Sequence, residues 1–185
     1  MHTKLIISKL TPEDKGAANR IFELSITDAF EQEGLGELYE DIQQEIEGKR
    51  DLVQRSLTRA IPDTFFLLAR LDGTAAGTIS FSPCGEDIRV CTGGELNGIG
   101  ELGSLYVLPQ FQDQGIGSAL IKSMATWLEG QGIQQFCLDS GYKRAQQRWV
   151  KKFGKPYKTV QDYWGPGNAH MVWLCDVKNY AENSK

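Results

Sequence analysis

Apolar positions along this chain recur first at every second residue and then at every third or fourth. The switches between those periods outline its elements. Leu5, Ile6, Ile7 and Leu10 read as a first strand within residues 3–10. Thr11-Pro12-Glu13-Asp14 then opens a helix: Thr11 can cap it, Pro12 suits its first position, and Asp14 completes a capping-box variant. Ala17, Ala18, Ile21, Phe22, Ser25, Ala29 and Phe30 form its inward stripe, and Gly34 and Gly36 break it. A second helix is expected from about Glu37 to Ile61 on Leu38, Ile42, Ile46, Leu52, Val53, Leu57 and Ile61, with Pro62-Asp63 as its stop.

Thr64 to Leu71 is a strand, Asp72-Gly73 a hairpin turn, and Ala75 to Ser82 the returning partner. Residues 83–100 hold Pro83, Gly85, Gly93, Gly94, Gly98 and Gly100 and read as one long loop, a kind that is often functional. Glu101 to Leu108 is the next strand. After a glycine turn, a helix runs to about Glu129, burying Ile116, Ala119, Leu120, Met124, Trp127 and Leu128, and Gly130 and Gly132 end it. Gln134 to Ser140 follows as a strand, and strand–helix–strand connectivity predicts that these two strands are parallel. Arg144 to Phe153 is a short basic helix ended by Gly154 and Pro156, and His170 to Val177 is the last strand. The pattern gives one domain over residues 1–178 and a frayed tail over 179–185, without repeats or a linker.

Composition narrows the function. The net charge of −4 argues against a nucleic-acid binder, which needs a basic face. No apolar run approaches the ~18–20 residues of a membrane span, and Lys4 and Lys9 interrupt the N-terminal stretch, so no signal peptide is expected. Cys137 and Cys175 fall in apolar runs and read as core residues, whereas Cys84 and Cys91 could be metal ligands or a disulfide. The only histidines are His2 and His170, a ligand set too thin for a metal site, so no metal and a reducing, cytoplasmic setting are expected. Between Asp28 and Asp51 acidic residues outnumber Lys49 and Arg50; this is either a solvated helix face or an acidic rim that attracts a cationic substrate.

The candidate chemistry centres on Gln112-Asp113-Gln114-Gly115-Ile116-Gly117. It lies between an apolar strand (Leu105-Tyr106-Val107-Leu108, then Pro109) and an amphipathic helix. Glycines let backbone amides approach an anion, and the unpaired amides of a first helical turn point at it.

Glu101-Leu-Gly-Ser-Leu-Tyr-Val-Leu-Pro followed by Gln112-Asp-Gln-Gly115-Ile-Gly117-Ser-Ala-Leu resembles the signature of the GNAT N-acetyltransferase superfamily. The order of elements fits that family from about residue 3 to 177, and Asp162-Tyr-Trp-Gly-Pro-Gly-Asn-Ala-His-Met-Val-Trp resembles a segment of its uncharacterised bacterial members. The resemblance implies an α/β (α+β) fold: a mixed, mostly antiparallel sheet flanked by helices, whose central parallel strand pair splays apart around acetyl-CoA, the cosubstrate. It implies that Leu105, Tyr106 and Val107 hold the pantetheine arm and acetyl carbonyl through their backbone. Asp113, Gln114, Gly115, Ile116, Gly117 and Ser118 would wrap the pyrophosphate, with Gln112 at the motif's first position. Dimers are common in the family, so a homodimer is within expectation.

The rival at this stretch is a dinucleotide-binding fold, with Asp139 placed where a ribose-binding acid would lie. Against it, Leu120 stands at the third glycine position. A P-loop fails because no Gly-Lys-Ser/Thr follows.

Direct acetyl transfer to a primary amine, through a tetrahedral intermediate, needs a neutral nucleophile, and an alkylamine has a pKa of ~10.4. A base is therefore useful. Glu101, at the start of the signature strand, is the first candidate, and Asp139, at the end of the next strand, the second. Many family members carry a tyrosine that protonates the departing sulfur, but the aligned residue here is Val150, after Trp149. The family's common asparagine aligns near Lys143. Tyr142, Tyr157 and Tyr163 are the available substitutes, and His170, just before a strand, is either structural or at the cleft mouth. The expected acceptor is a small-molecule or peptide amine, and the acidic 28–51 region favours a cationic one. The missing tyrosine keeps a catalytically silent CoA-binding or sensory domain as the alternative.

Overall fold

The computed structural model describes residues 3–60 and 63–182. Its strands are β1 (Leu5–Lys9), β2 (Phe65–Leu71), β3 (Thr74–Ser82), β4 (Glu101–Val107), β5 (Gln135–Ser140), β6 (Lys158–Val160) and β7 (His170–Asp176). They form one seven-stranded sheet in the order β1-β2-β3-β4-β5-β7-β6. All neighbours are antiparallel except β4 and β5, which run parallel. The helices are α1 (Lys15–Gln32), α2 (Tyr39–Thr58), α3 (Glu86–Thr92), α4 (Ile116–Gly130) and α5 (Lys143–Phe153). A mostly antiparallel sheet excludes the doubly wound parallel architecture of the dinucleotide-binding rival.

Side chains that alternate along the strands sort the helices onto two faces. Phe65 stacks on Trp127 of α4 at 3.8 Å between ring centroids, whereas Phe66 packs with Phe22 of α1 and with α2. In β5, Phe136 and Leu138 join the α4 cluster, while Cys137 joins Ile88 and Cys91 of α3. One face therefore carries α4 and the aromatic residues of α5, and the other carries α1, α2 and α3.

Thr11 starts the chain's first helical segment much as its sequence suggests: its backbone N–H and hydroxyl donate to the Asp14 carboxylate at 2.9 and 3.0 Å. The Asp72-Gly73 turn has φ of +49° and +84°, the paired left-handed geometry that matches strand twist in a tight hairpin.

Three expectations change. The 83–100 stretch holds α3, a seven-residue helix between Gly85 and Gly93, too short for a 3.6-residue period to register. The three-residue β6 was hidden for the same reason. The described end of the chain does not fray: Tyr180 packs on Phe136 and Phe153, and the Glu182 N–H donates to the Thr126 hydroxyl at 2.9 Å. Helix α2 ends at Thr58, and Ile61 and the Pro62 stop lie outside the described residues, as does His2. Among the described residues no helix is long and apolar enough to cross a membrane.

Candidate active site at the splayed strands

The site begins with a parallel pair that barely pairs. Glu101 and Cys137 are the only register partners between β4 and β5, and beyond them the strands part. Backbone groups on the facing edges are then left without a ladder, a cost that a bound amide-bearing chain can offset. Strand β4 also carries a bulge at this place. Ser80 pairs with Gly103 and Thr78 with Tyr106, so three steps on β4 oppose two on β3. Ser104 takes φ of +49°, and its carbonyl accepts the Thr78 hydroxyl at 2.8 Å. Its own Oγ is buried without a partner. A Cβ on Gly77 would stand 2.8 Å from the Tyr106 carbonyl, so only glycine lets β3 approach the bulged strand this closely.

Beyond the bulge, strand alternation divides the signature residues between the two faces. Leu105 and Val107 turn toward α4, while Tyr106 turns toward α1, where its ring meets Phe22 edge-on at 5.8 Å. The Tyr106 hydroxyl donates to Glu45 of α2 at 3.2 Å, and burial, then Glu45, push its pKa up.

On the α4 face, the Gln112 side-chain amide donates to the Val107 carbonyl at 3.3 Å, tying the turn to the strand end. Gln114 likewise donates to Gln110 O at 3.3 Å. Asp113 (φ +60°) and Gly115 (φ +79°) are both left-handed, which winds the chain tightly into the helix. Ile116 is buried beneath the turn, so it offers only backbone to a ligand. The ladder of α4 starts with Ala119 N–H donating to Gly115 O at 3.0 Å, which leaves the amides of Ile116, Gly117 and Ser118 facing out of the helix N-terminus. The Ser118 hydroxyl accepts Lys152 Nζ of α5 at 3.0 Å, beside a cavity of about 350 Å³ that also touches Lys122 and Tyr180.

On the opposite face stand three carboxylates. Glu101 accepts the Gly85 N–H at 2.7 Å. Burial, then the charge of Asp139, raise its pKa from an ordinary 4.5 to about 7 against the opposing effects of Gly85 and Lys49. Asp139 accepts His170 Nε2 at 2.8 Å, and Asp87 of α3 accepts the Tyr163 hydroxyl at 2.8 Å. Asp87, Asp139 and His170 bring ligand atoms within 4.8 Å of one another. A metal would need the His170 Nε2 lone pair. Trp164 Nε1–H, which can only donate, meets Nδ1 at 3.0 Å and so places the ring proton on Nε2. This donor set fits a hydrogen-bond chain better than a cation.

The structure thus sets Glu101 and Asp139 within one another's field at the β4–β5 pair and puts the glycine turn against Val107 at the far end of β4. Of the candidate acids, Tyr142 stacks edge-on with Phe30 and is pushed up to about 12 by burial and by Glu45, Glu33 and Asp41. Tyr163 is taken up by Asp87 and Tyr157 by Glu95. Val150 is exposed and aliphatic and has no proton to give. All four cysteines are buried free thiols, Cys84 and Cys91 included. Lys152, Glu45 and Asp87 were not singled out in the sequence, because their approach depends on packing between distant segments.

The sequence profile of the Acetyltransferase (GNAT) family matches residues 15–154. Among solved structures, the fold is similar to a GNAT-family protein from Desulfovibrio desulfuricans (TM-score 0.70, 18% identity, covering 94% of this chain and 99% of that one). It is also similar to the PaiA N-acetyltransferase of Thermoplasma acidophilum in complex with coenzyme A (TM-score 0.65, 20% identity, 92% and 98%). A third likeness is to the ribosomal-protein-S18-alanine N-acetyltransferase of Escherichia coli (TM-score 0.61, 16% identity, 97% and 98%). At such identities these likenesses are of fold. Curated proteins gave no match. With the signature, the splayed strands and the family profile all on the same stretch, the chain belongs to the GNAT acetyltransferase family.

Proposed function

We propose that this protein is an acetyl-CoA-dependent N-acetyltransferase acting on a primary amine. The observation that carries the reading is the parting of β4 and β5 beyond their single register pair, Glu101 with Cys137. An amide-lined helix N-terminus with Lys152 lies on one face of the β4–β5 gap, and Glu101 lies on the other. Donor and acceptor can then reach one point from opposite sides, which suits direct attack over a relay through a covalent enzyme intermediate.

The residues fit acetyl-CoA. The free amides of Ile116, Gly117 and Ser118, within reach of the Lys152 charge, suit the pyrophosphate. The unpaired edge of β4 from Leu105 to Val107 suits the pantetheine amides, and the unpartnered Ser104 Oγ lies in the same bulge. Bound there, the cosubstrate supplies an activated thioester. The chain's own part is to receive the proton. Glu101, with a pKa of about 7, is half deprotonated near neutrality and is matched to a general base working there. Asp139 is the second candidate for that role. A thiolate leaving group with pKa ~8.5 departs without an acid, so Val150 in place of a tyrosine does not stop the reaction.

For the acceptor we favour a cation. Glu37 and Glu40 are exposed, Glu45 reaches Tyr106, and Glu33 and Asp41 act on Tyr142. Free buried cysteines favour a reducing compartment, consistent with a cytoplasmic enzyme. An acceptor panel with detection of released CoA thiol tests the function. Release with a primary amine supports it and rules out a silent CoA-binding domain. Tight CoA binding with no release from any amine supports the silent domain instead.

A further inference from the structure

The loop 161–169 is built to hold one ring still. Its turn is closed by Trp164 N–H to Asn168 O at 3.0 Å and by Gly167 N–H to Asp162 Oδ1 at 2.7 Å, with Asp162 at φ +54°. Although the Trp164 ring is 54% exposed, its indole N–H is aimed inward at His170 Nδ1, 3.0 Å away. His170 is 3% exposed, and its other nitrogen meets Asp139 Oδ2 at 2.8 Å. Tyr163 packs against the same imidazole at 5.2 Å and donates to Asp87. A Cβ on Gly141 would lie 2.5 Å from Trp164 Nε1 and 3.3 Å from His170 Nδ1, so the chain leaves room for this contact with a glycine.

We propose that Trp164 and His170 are positioning residues. Their two directed hydrogen bonds hold the Asp139 carboxylate in place beside Glu101, so that Glu101 is the carboxylate that takes the proton. This rests on the reading of the gap as an acetyl-transfer site.

The two neighbouring carboxylates differ in the donors they receive. Two like charges in one site compete for a single proton, and the one with the better donor stays ionised. Asp139 receives an imidazole N–H whose tautomer is fixed from behind by a group that can only donate. Glu101 receives one backbone N–H, from Gly85. The other groups acting on Glu101 are Asp87 of α3 and Lys49 of α2, and the thiols of Cys84 and Cys137 also lie in its field. Asp139 is within the field of those thiols and of Cys91. Lys49 is the cation that acts on Glu101, and it is shared with Glu45 at 3.5 Å. The charge on Asp139 is the largest electrostatic influence on Glu101, second only to burial.

The test pairs a spectroscopic readout with a kinetic one. The chain has two histidines, so 15N-histidine spectra of the intact protein hold two rings. At neutral pH, without substrate, His170 is expected as the Nε2–H tautomer, and in Trp164→Phe its Nδ1 gains proton occupancy. A wild-type ring protonated at Nδ1, or a spectrum unchanged by Trp164→Phe, overturns the relay. In Asp139→Asn, the acidic limb of the kcat/KM profile is expected to move down by about one pH unit, because a like charge has gone. A limb that stays in place overturns the link to Glu101, and a merely structural role for Asp139 predicts that result. If the tautomer is as expected but no amine releases thiol from the wild type, the relay stands and the transfer reading fails.

Discussion

Replacing Glu101 by Gln separates stability from activity in a pH-dependent way. An acid whose pKa is higher in the folded state binds its proton more tightly when folded. The unfolded chain therefore loses that proton first, and stability falls as pH rises between the two values. For Glu101 the window runs from an ordinary 4.5 to about 7. At about 1.4 kcal/mol per pH unit, the charged carboxylate costs the folded protein about 3 kcal/mol above that window and nothing below it. Gln keeps an oxygen for the Gly85 N–H and carries no charge. Glu101→Gln is thus expected to be more stable than wild type at pH 8 by about 3 kcal/mol, on the order of 8 °C in Tm for a chain of this size. The gain should vanish by pH 4.5. Acetyl transfer at pH 7 should fall by about 10²-fold or more, the usual worth of a general base. Urea unfolding of both proteins across pH 4.5–8, with turnover of the same samples, gives both numbers. A pH-independent stability difference refutes the desolvated carboxylate, and retained turnover refutes its role as base.

Other expectations follow from single contacts. Gly77→Ala drives a Cβ toward the Tyr106 carbonyl, and should cost about 1–3 kcal/mol in urea unfolding while raising the acetyl-CoA KM. Lys152→Glu reverses the charge beside Ser118 and should raise the acetyl-CoA KM, with Tm moved by no more than a surface change of about 0.5 kcal/mol would give. Glu45→Lys should raise the KM of a diamine more than that of a neutral-tailed amine, and equal effects would dismiss the cationic acceptor.

The parts of this fold that could be read in the sequence are those with long periodic signals or rigid turn chemistry. Helices α1, α2 and α4 each span fifteen or more residues, and the Asp72-Gly73 hairpin has a residue pair that its geometry demands. The glycine turn was legible because its strand and helix flank it in order. Helix α3 was not, and with it went the Gly85 N–H and Asp87 that shape the environment of Glu101. Nor does any residue announce the bulge, since Ser104 takes a left-handed φ that serine rarely adopts. Glu101 and Asp139 were identifiable as strand-end carboxylates facing one gap. His170 read as either a structural histidine or one at the cleft mouth, and its link to Asp139 depends on a contact thirty-one positions away.

Acetyl-CoA is proposed to lie in the β4–β5 gap and against the α4 N-terminus. Titration calorimetry of wild type and Gly117→Trp tests it most directly. A Cβ at Gly117 meets nothing nearer than Val107 Cγ2 at 3.9 Å, so the first atom of the new side chain fits the fold while the ring fills the anion site. Saturable acetyl-CoA binding to the wild type is expected, weakened by at least about tenfold (about 1.4 kcal/mol) in a variant of unchanged Tm. No binding to the wild type, or equal affinity in the variant, would contradict it.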